Sequence, residues 1–159
     1  MELGVGRVAR KGRTINGKRF HIIVAEDNGA DITSVREALK LHRVDCEMGV
    51  INDGAEAIRY FRALDVDCRL RVPDLVLLDM HLPKHGGEDI LKALRSTQRI
   101  ARTPVVLMTG SSSPAIEKVA QKHAVLYCFF KSCDWEEFAQ VGAVVHSLLE
   151  RDRPNRSEE

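Results

Sequence analysis

LVLLDMHLP, residues 75–83, decides how the rest of the chain is read. Its first four residues form a short continuous apolar run, the pattern of a strand buried on both faces. The run stops on a bare carboxylate, Asp79, and a charge at the rim of a core is costly unless something uses it. A strand covered on both sides needs helices above and below it, and the flanking sequence supplies them.

FHIIVA (20–25) is a second continuous apolar strand, followed by a helix from about Gly29 to Leu41. VDCEMGV (44–50) reads as a strand with looser patterning, and Gly54 to Leu64 as a helix. After LVLL come a helix over Glu88 to Arg95, a strand PVVLM (104–108), a helix from Pro114 and a strand VLYCFF (125–130). Ser113 before Pro114 is an N-cap followed by proline at the first helical position. The last helix begins near Trp135, with Asp134 as N-cap and Glu137 completing a capping box. Five strands alternating with five helices predict a parallel sheet covered on both faces. Right-handed crossovers make it a three-layer αβα sandwich. Ligands in such sheets bind beyond the carboxyl ends of the strands, at the topological switch point.

The 159 residues suffice for one domain with a proper core. Hydrophobic residues at 44% and charged residues at 30% are ordinary for a soluble globular protein. A net charge of +1 gives no whole-chain basic field, which argues against nucleic acid as a partner. Cys46, Cys68, Cys128 and Cys133 form no CxxC pair and no zinc-finger spacing, so they read as free thiols in a reducing cytoplasm. No apolar run reaches membrane-spanning length, and the N-terminus lacks the apolar core of a signal peptide. A cytoplasmic protein is expected. Residues 1–19 carry six basic residues (Arg7, Arg10, Lys11, Arg13, Lys18, Arg19) against Glu2 and read as a flexible basic tail. A hairpin turning at Asn16-Gly17 is the alternative there. Residues 151–159 read as a polar tail, leaving 20–150 as the folded domain.

The chemistry gathers at the strand ends. The first strand runs into Glu26 and Asp27, the third ends in Asp79, the fourth in Thr109-Gly110 and the fifth in Lys131. Any one acid there is ordinarily a turn former or helix cap. Four strand ends that all carry phosphate and metal chemistry are harder to assign to turns. Unit charges about 4 Å apart repel by about 4 kcal/mol at an effective dielectric of 20. Three clustered carboxylates therefore call for a cation, and Lys131 balances only one of them. Hard oxygen ligands with room for water suit Mg²⁺. With a lysine and a hydroxyl beside it, such a site has the parts for phosphoryl transfer, and Asp79 is the expected nucleophile.

These residues resemble the receiver domains of two-component response regulators. The resemblance covers about residues 20 to 150 and rests on VAEDN (24–28), LLDMHLPKHGGEDILKALR (77–95), PVVLMTG (104–110) and FFKS (129–132). Asp79 to Thr109 is 30 residues and Thr109 to Lys131 is 22, both at family spacing. The resemblance implies a flavodoxin-like fold with strand order 2-1-3-4-5. It implies that Asp79 is the phosphoacceptor, taking its phosphoryl group from a phosphohistidine on a sensor histidine kinase. Glu26 and Asp27 match the acidic pair. The resemblance puts Mg²⁺ on Asp27, Asp79 and the backbone carbonyl of His81, with Glu26 acting through water. Thr109 matches the switch hydroxyl and Lys131 the family lysine; with the Gly110 N–H they would hold the phosphoryl oxygens. Pro83 and Gly87 match the loop that shapes the turn after the acceptor.

The chain departs from the family pattern in two places. An aromatic usually stands three residues before the lysine; here it is Cys128, with Tyr127 on the opposite face of the strand. A threonine–aromatic rotamer switch therefore lacks its aromatic here, and a backbone shift of the fourth loop is the alternative. The family commonly has Lys-Pro with a cis bond where this chain has Lys131-Ser132. A cis bond before serine costs about 3 kcal/mol against about 1 before proline, so either the bond is strained or the loop is arranged differently. Stand-alone receivers of phytochrome-type kinases are similar in that serine and in the LPKxxG loop.

His81 faces the expected phosphoryl position, yet solvated loop histidines are the default for it and for His85. Cys128 and Cys133 read as inert thiols, and Ser111, Ser112 and Ser113 as loop and cap residues. The expectation is a single-domain regulator, a phosphoacceptor signalling protein rather than an enzyme in the ordinary sense, whose chemistry is limited to its own phosphotransfer and autodephosphorylation. It would signal through contact with a downstream or phosphotransfer protein, or with a second copy through the face of the fourth helix, fifth strand and last helix. A pseudo-receiver that binds partners without phosphorylation is the first alternative. A Mg²⁺-dependent phosphatase is the second; it would want a carboxylate two residues after the nucleophile, where His81 stands.

Overall fold

In the computed structural model, residues 19–151 apart from Ser112 are described. The expected tails lie almost wholly outside them, as does the alternative hairpin at Asn16-Gly17. Of the tails, Arg19 pairs with Asp45 at 2.7 Å, and Arg151 is the last residue of the final helix.

Five strands form one parallel sheet in the order β2-β1-β3-β4-β5. They are β1 (Phe20–Ala25), β2 (Cys46–Ile51), β3 (Leu75–Asp79), β4 (Val105–Thr109) and β5 (Tyr127–Phe130). The helices are α1 (Gly29–Leu41), α2 (Gly54–Val66), α3 (Gly87–Ser96), α4 (Pro114–Lys122), α5 (Trp135–Phe138) and α6 (Gln140–Arg151). Strand side chains alternate between two cores. Ile22, Val24, Leu75, Leu77, Val106 and Met108 pack beneath α1, α5 and α6. Ile23, Ala25, Val76, Leu78, Val105 and Leu107 pack against α2, α3 and α4. Each residue of β3 and β4 is buried, which is why those stretches read as unbroken apolar runs.

Two expected strands begin later than their apolar residues do. Helix α1 closes with Arg43 in the left-handed region (φ 56°), and the Val44 N–H returns to the Leu39 carbonyl. Val44 therefore finishes a helix cap, and pairing starts at Cys46. Helix α4 closes the same way: Ala124 has φ 52°, the Val125 N–H bonds the Ala120 carbonyl, and β5 starts at Tyr127.

The expected last helix is interrupted. After one turn, α5 ends at Ala139, and the Gly142 N–H reaches only three residues back, to the Ala139 carbonyl, before α6 continues. Gly142 explains the tightness here: a Cβ on it would lie 2.3 Å from the Ala38 carbonyl oxygen of α1. Only a glycine lets α6 approach α1 this closely. Asp134 caps α5 as expected, accepting from the Glu137 N–H at 3.1 Å. The return half of the capping box is absent. Ser132 takes its place: its hydroxyl accepts from the Asp134 N–H at 3.1 Å and donates to the Glu137 carboxylate at 2.5 Å. The Lys131–Ser132 bond is trans, so of the two arrangements considered for this loop, the one without a cis bond is present.

Candidate functional site

The parallel register delivers the expected residues to one edge. Ala25 lies level with Leu78, Asp79 with Met108, and Thr109 with Phe130. The residues that leave the sheet there are Glu26 and Asp27, Asp79, Thr109 and Gly110, and Lys131. Loops and caps fix them further. The Glu26 N–H donates to the Ile51 carbonyl and the Lys131 N–H to the Thr109 carbonyl at 2.8 Å. The Asn28 N–H donates to Glu26 Oε1 at 3.1 Å, while the Asn28 side chain caps α1.

Glu26, Asp27 and Asp79 each place a carboxylate oxygen within 4.8 Å of the others. Glu26 is fully buried and Asp79 5% exposed, whereas Asp27 opens to solvent. Lys131 Nζ sits among the acids, 2.7 Å from Glu26 Oε2, 3.0 Å from Asp31 Oδ2 and 3.3 Å from Asp79 Oδ2. The Glu26 contact is the shortest of the three, and Glu26 is the most deeply buried of these acids. Burial pushes the Glu26 carboxyl up to about 7, with Asp79 adding to the rise, against the pull of Lys131 and the Asn28 N–H. Burial pulls Lys131 down, but Glu26, Asp31 and Asp79 outweigh it and hold the ammonium above its ordinary value.

This set fits a divalent ion. All donors are hard carboxylate oxygens, and Asp27 leaves a side open to water. Among the described residues, Glu26, Asp31 and Asp79 share the Lys131 ammonium, and Asp27 adds a fourth acid beside them.

The other expected residues differ in how close they come. Thr109 is buried, with its hydroxyl bonded within its own loop: Oγ1 donates to the Ser111 carbonyl at 2.6 Å and accepts from the Ser111 N–H at 3.2 Å. Gly110 follows it, exposed. The His81 N–H donates to Asp79 Oδ1 at 3.1 Å, orienting the carboxylate, and its side chain is exposed. Pro83 and Gly87 do shape the loop: the Pro83 carbonyl accepts from the Gly54 N–H, and the Gly87 N–H donates to the Met80 carbonyl. His85 lies 3.8 Å from Asp89, away from the acids. Cys128 and Cys133 are exposed, and all four cysteines are free.

Asp31 is the residue that sequence reading missed. It stands in the first turn of α1, 100 residues from the lysine it contacts. The available signal was an acid three residues after the Asn28 cap, on the helix end that faces the strand edge.

Fold and edge together define a doubly wound α/β protein with an acidic, lysine-bridged pocket at its switch point. Residues 22–141 match the response regulator receiver domain family, and the chain belongs to that family of two-component signalling domains. It is 33% identical over 90 residues to response regulator Rcp1 of Synechocystis sp., covering 57% of this chain and 61% of the relative. To the probable methanogenesis regulatory protein FilR2 of Methanothrix harundinacea it is 32% identical over 94 residues, covering 59% and 60%. The chain thus spans about three-fifths of the length of these curated relatives. Among solved structures, the phosphorylated cyanobacterial phytochrome response regulator RcpA superposes with a TM-score of 0.75 at 28% identity, over 88% of this chain and 100% of that one. The Mn²⁺-bound form of Rcp1 gives 0.73 at 25%, over 87% and 99%.

Proposed function

We propose that this receiver accepts a phosphoryl group on Asp79 from a phosphohistidine of a sensor kinase and signals by protein–protein contact. The observation that carries the reading is Lys131 Nζ 3.3 Å from Asp79 Oδ2, beside three acids within 4.8 Å of one another. A carboxylate oxygen of Asp79 attacks phosphorus, and the new O–P bond forms as the P–N bond breaks. The electron pair leaves on the imidazole nitrogen, which takes a proton. The product is an acyl phosphate, later hydrolysed by water to the carboxylate and inorganic phosphate.

Lys131 would neutralise one phosphoryl oxygen, and the Gly110 N–H would donate to another. Thr109 would join them once its hydroxyl leaves Ser111. The His81 N–H engages one oxygen of Asp79, leaving the other to attack, and the exposed His81 side chain would border the phosphoryl group. Asp27, Asp79 and the His81 carbonyl, with Glu26 through water, would hold Mg²⁺; when bound, the ion spreads the negative charge of the phosphoryl oxygens.

The likeness to RcpA, a phytochrome response regulator, supports a phytochrome-type kinase as donor; with it we place the protein in the cytoplasm, where such a kinase would deliver the phosphoryl group. The way out is the face of α4, β5 and α5–α6, where Leu126, Tyr127, Phe130 and Trp135 are exposed. It suits a downstream protein or a second copy.

The test is uptake from acetyl phosphate and binding of beryllofluoride, with and without Mg²⁺, in wild type and Asp79→Asn. Mg²⁺-dependent uptake that is lost in Asp79→Asn is expected. Uptake unchanged by that substitution overturns the acceptor assignment. No uptake in wild type favours a partner-binding module without phosphorylation, and turnover of phosphate esters at enzymatic rates favours a phosphatase.

A further inference from the structure

The ammonium of Lys131 has three carboxylate neighbours, and they are not equivalent. It donates a hydrogen bond to Asp31 Oδ2 at 3.0 Å. It also lies 2.7 Å from Glu26, the shortest contact, and 3.3 Å from Asp79. Glu26 is sealed in the core and is fixed by the Asn28 N–H. Asp31 is the most solvent-accessible of the three, with a side chain 27% exposed against 7% for Asp79, so water can replace the lysine there at least cost.

Both ends of the Asp31–Lys131 bond are anchored. The Asp31 N–H donates to the Asn28 side chain at 3.1 Å, which holds the carboxylate at the third position of α1, where the helix dipole favours a negative charge. The Lys131 N–H donates to the Thr109 carbonyl. The bond therefore draws the ammonium toward α1 from a backbone position beside Asp79.

Resting on the phosphoacceptor reading above, we infer that Asp31 is a positioning residue that competes with the phosphoryl group for Lys131. An anion arriving on Asp79 must draw the ammonium from Asp31 and also faces Asp31 as a like charge. Both effects weaken the grip of the site on a phosphoryl group. With Asp79 bare, the same bond holds the ammonium back from Asp79 and leaves that carboxylate to a divalent ion.

Asp31→Asn keeps the shape and removes the charge. With saturating Mg²⁺, calorimetric binding of beryllofluoride should tighten on the order of threefold to tenfold, the size expected from one partly screened charge. Binding of Mg²⁺ alone should weaken about twofold or more, as Lys131 moves onto Asp79. In a Lys131→Met background the Asn substitution should lose at least half of its effect on beryllofluoride, which is the coupling a double-mutant cycle reads. A merely structural acid would change the urea midpoint and leave that coupling near zero. Asp31→Ala repeats the test should the Asn variant fold poorly.

Wild-type binding of beryllofluoride with an unchanged or weaker affinity in Asp31→Asn overturns the inference alone. So does the same effect of the substitution with and without Lys131. Absence of Mg²⁺-dependent binding in wild type overturns the phosphoacceptor reading, and the inference with it.

Discussion

The hydroxyl of Thr109 and the carbonyl of Ser111 are joined at 2.6 Å, and the Ser111 N–H returns to the same oxygen at 3.2 Å. The hydroxyl that would serve a phosphoryl group is thus engaged by its own loop, and any role at Asp79 requires an exchange of partners. Thr109→Val keeps the shape and removes both bonds, with a stability loss of about 1 kcal/mol. Its affinity for beryllofluoride is expected to fall about tenfold, matching a charge-assisted hydrogen bond of about 1.4 kcal/mol or more. Thr109→Ser should retain most of that affinity. Calorimetry on the two variants checks it, and equal affinities would remove the hydroxyl from the site.

His21, on β1, is pushed below its ordinary value of 6.5 by burial first and by the Arg71 charge second, with Glu47 and Asp74 pulling the other way. Its Nδ1 is buried without a hydrogen-bond partner. The unfolded chain takes up this proton near pH 6.5, while the folded chain resists it to lower pH. The contribution of His21 is therefore intact above about 6.5 and declines as pH falls below it. Urea midpoints at pH 7.5 and 5.5 should differ less in His21→Val than in wild type.

Arg95 closes the opposite end of the sheet. Its half-buried guanidinium donates to the carbonyls of Ala101, Thr103, His123 and Ala124 at 2.8 to 3.2 Å. A lysine presents a point charge in place of this planar fork and cannot reach all four acceptors. Arg95→Lys is expected to cost about 1–3 kcal/mol in urea denaturation and Arg95→Met at least as much. A Lys variant as stable as wild type would show that water satisfies these carbonyls.

Ala124 holds a left-handed position (φ 52°). That conformation costs an L residue about 1–2 kcal/mol, and the greater unfolded-state freedom of glycine takes back about 0.4–1. Ala124→Gly should therefore gain about 0.5 kcal/mol, read as a higher urea midpoint with unchanged slope.

The strand ends were legible because parallel pairing is rigid: once LVLL and VVLM are central strands, Asp79 and Thr109 must emerge at the same edge. Glu26 and Lys131 follow by the same reasoning. Asp31 was hidden because an acid in the first turn of a helix is ordinary, and only the fold brings α1 beside the loop after β5. Val44 and Val125 looked like strand residues because apolar pattern does not distinguish a residue that packs beneath a helix cap from one that pairs. The interruption at Ala139 lies next to the close approach of Gly142 to Ala38, a distance no local pattern encodes. Asp134 and Glu137 announced a cap correctly, but the pattern gave no hint that Ser132 would act as its second half.

Lys131 follows directly from β5, a four-residue strand that among the described residues is paired on one side only and buried only at Phe129. Edge segments with little burial open locally long before a domain unfolds. Amide exchange at 127–131 should therefore run ahead of exchange at 76–79 and 105–109. An opening that reached Lys131 would carry the ammonium away and leave Glu26, Asp27, Asp31 and Asp79 facing one another without it. The fraying of one short strand is in this way an electrical event at the pocket, and its frequency sets how often the acids stand without their cation.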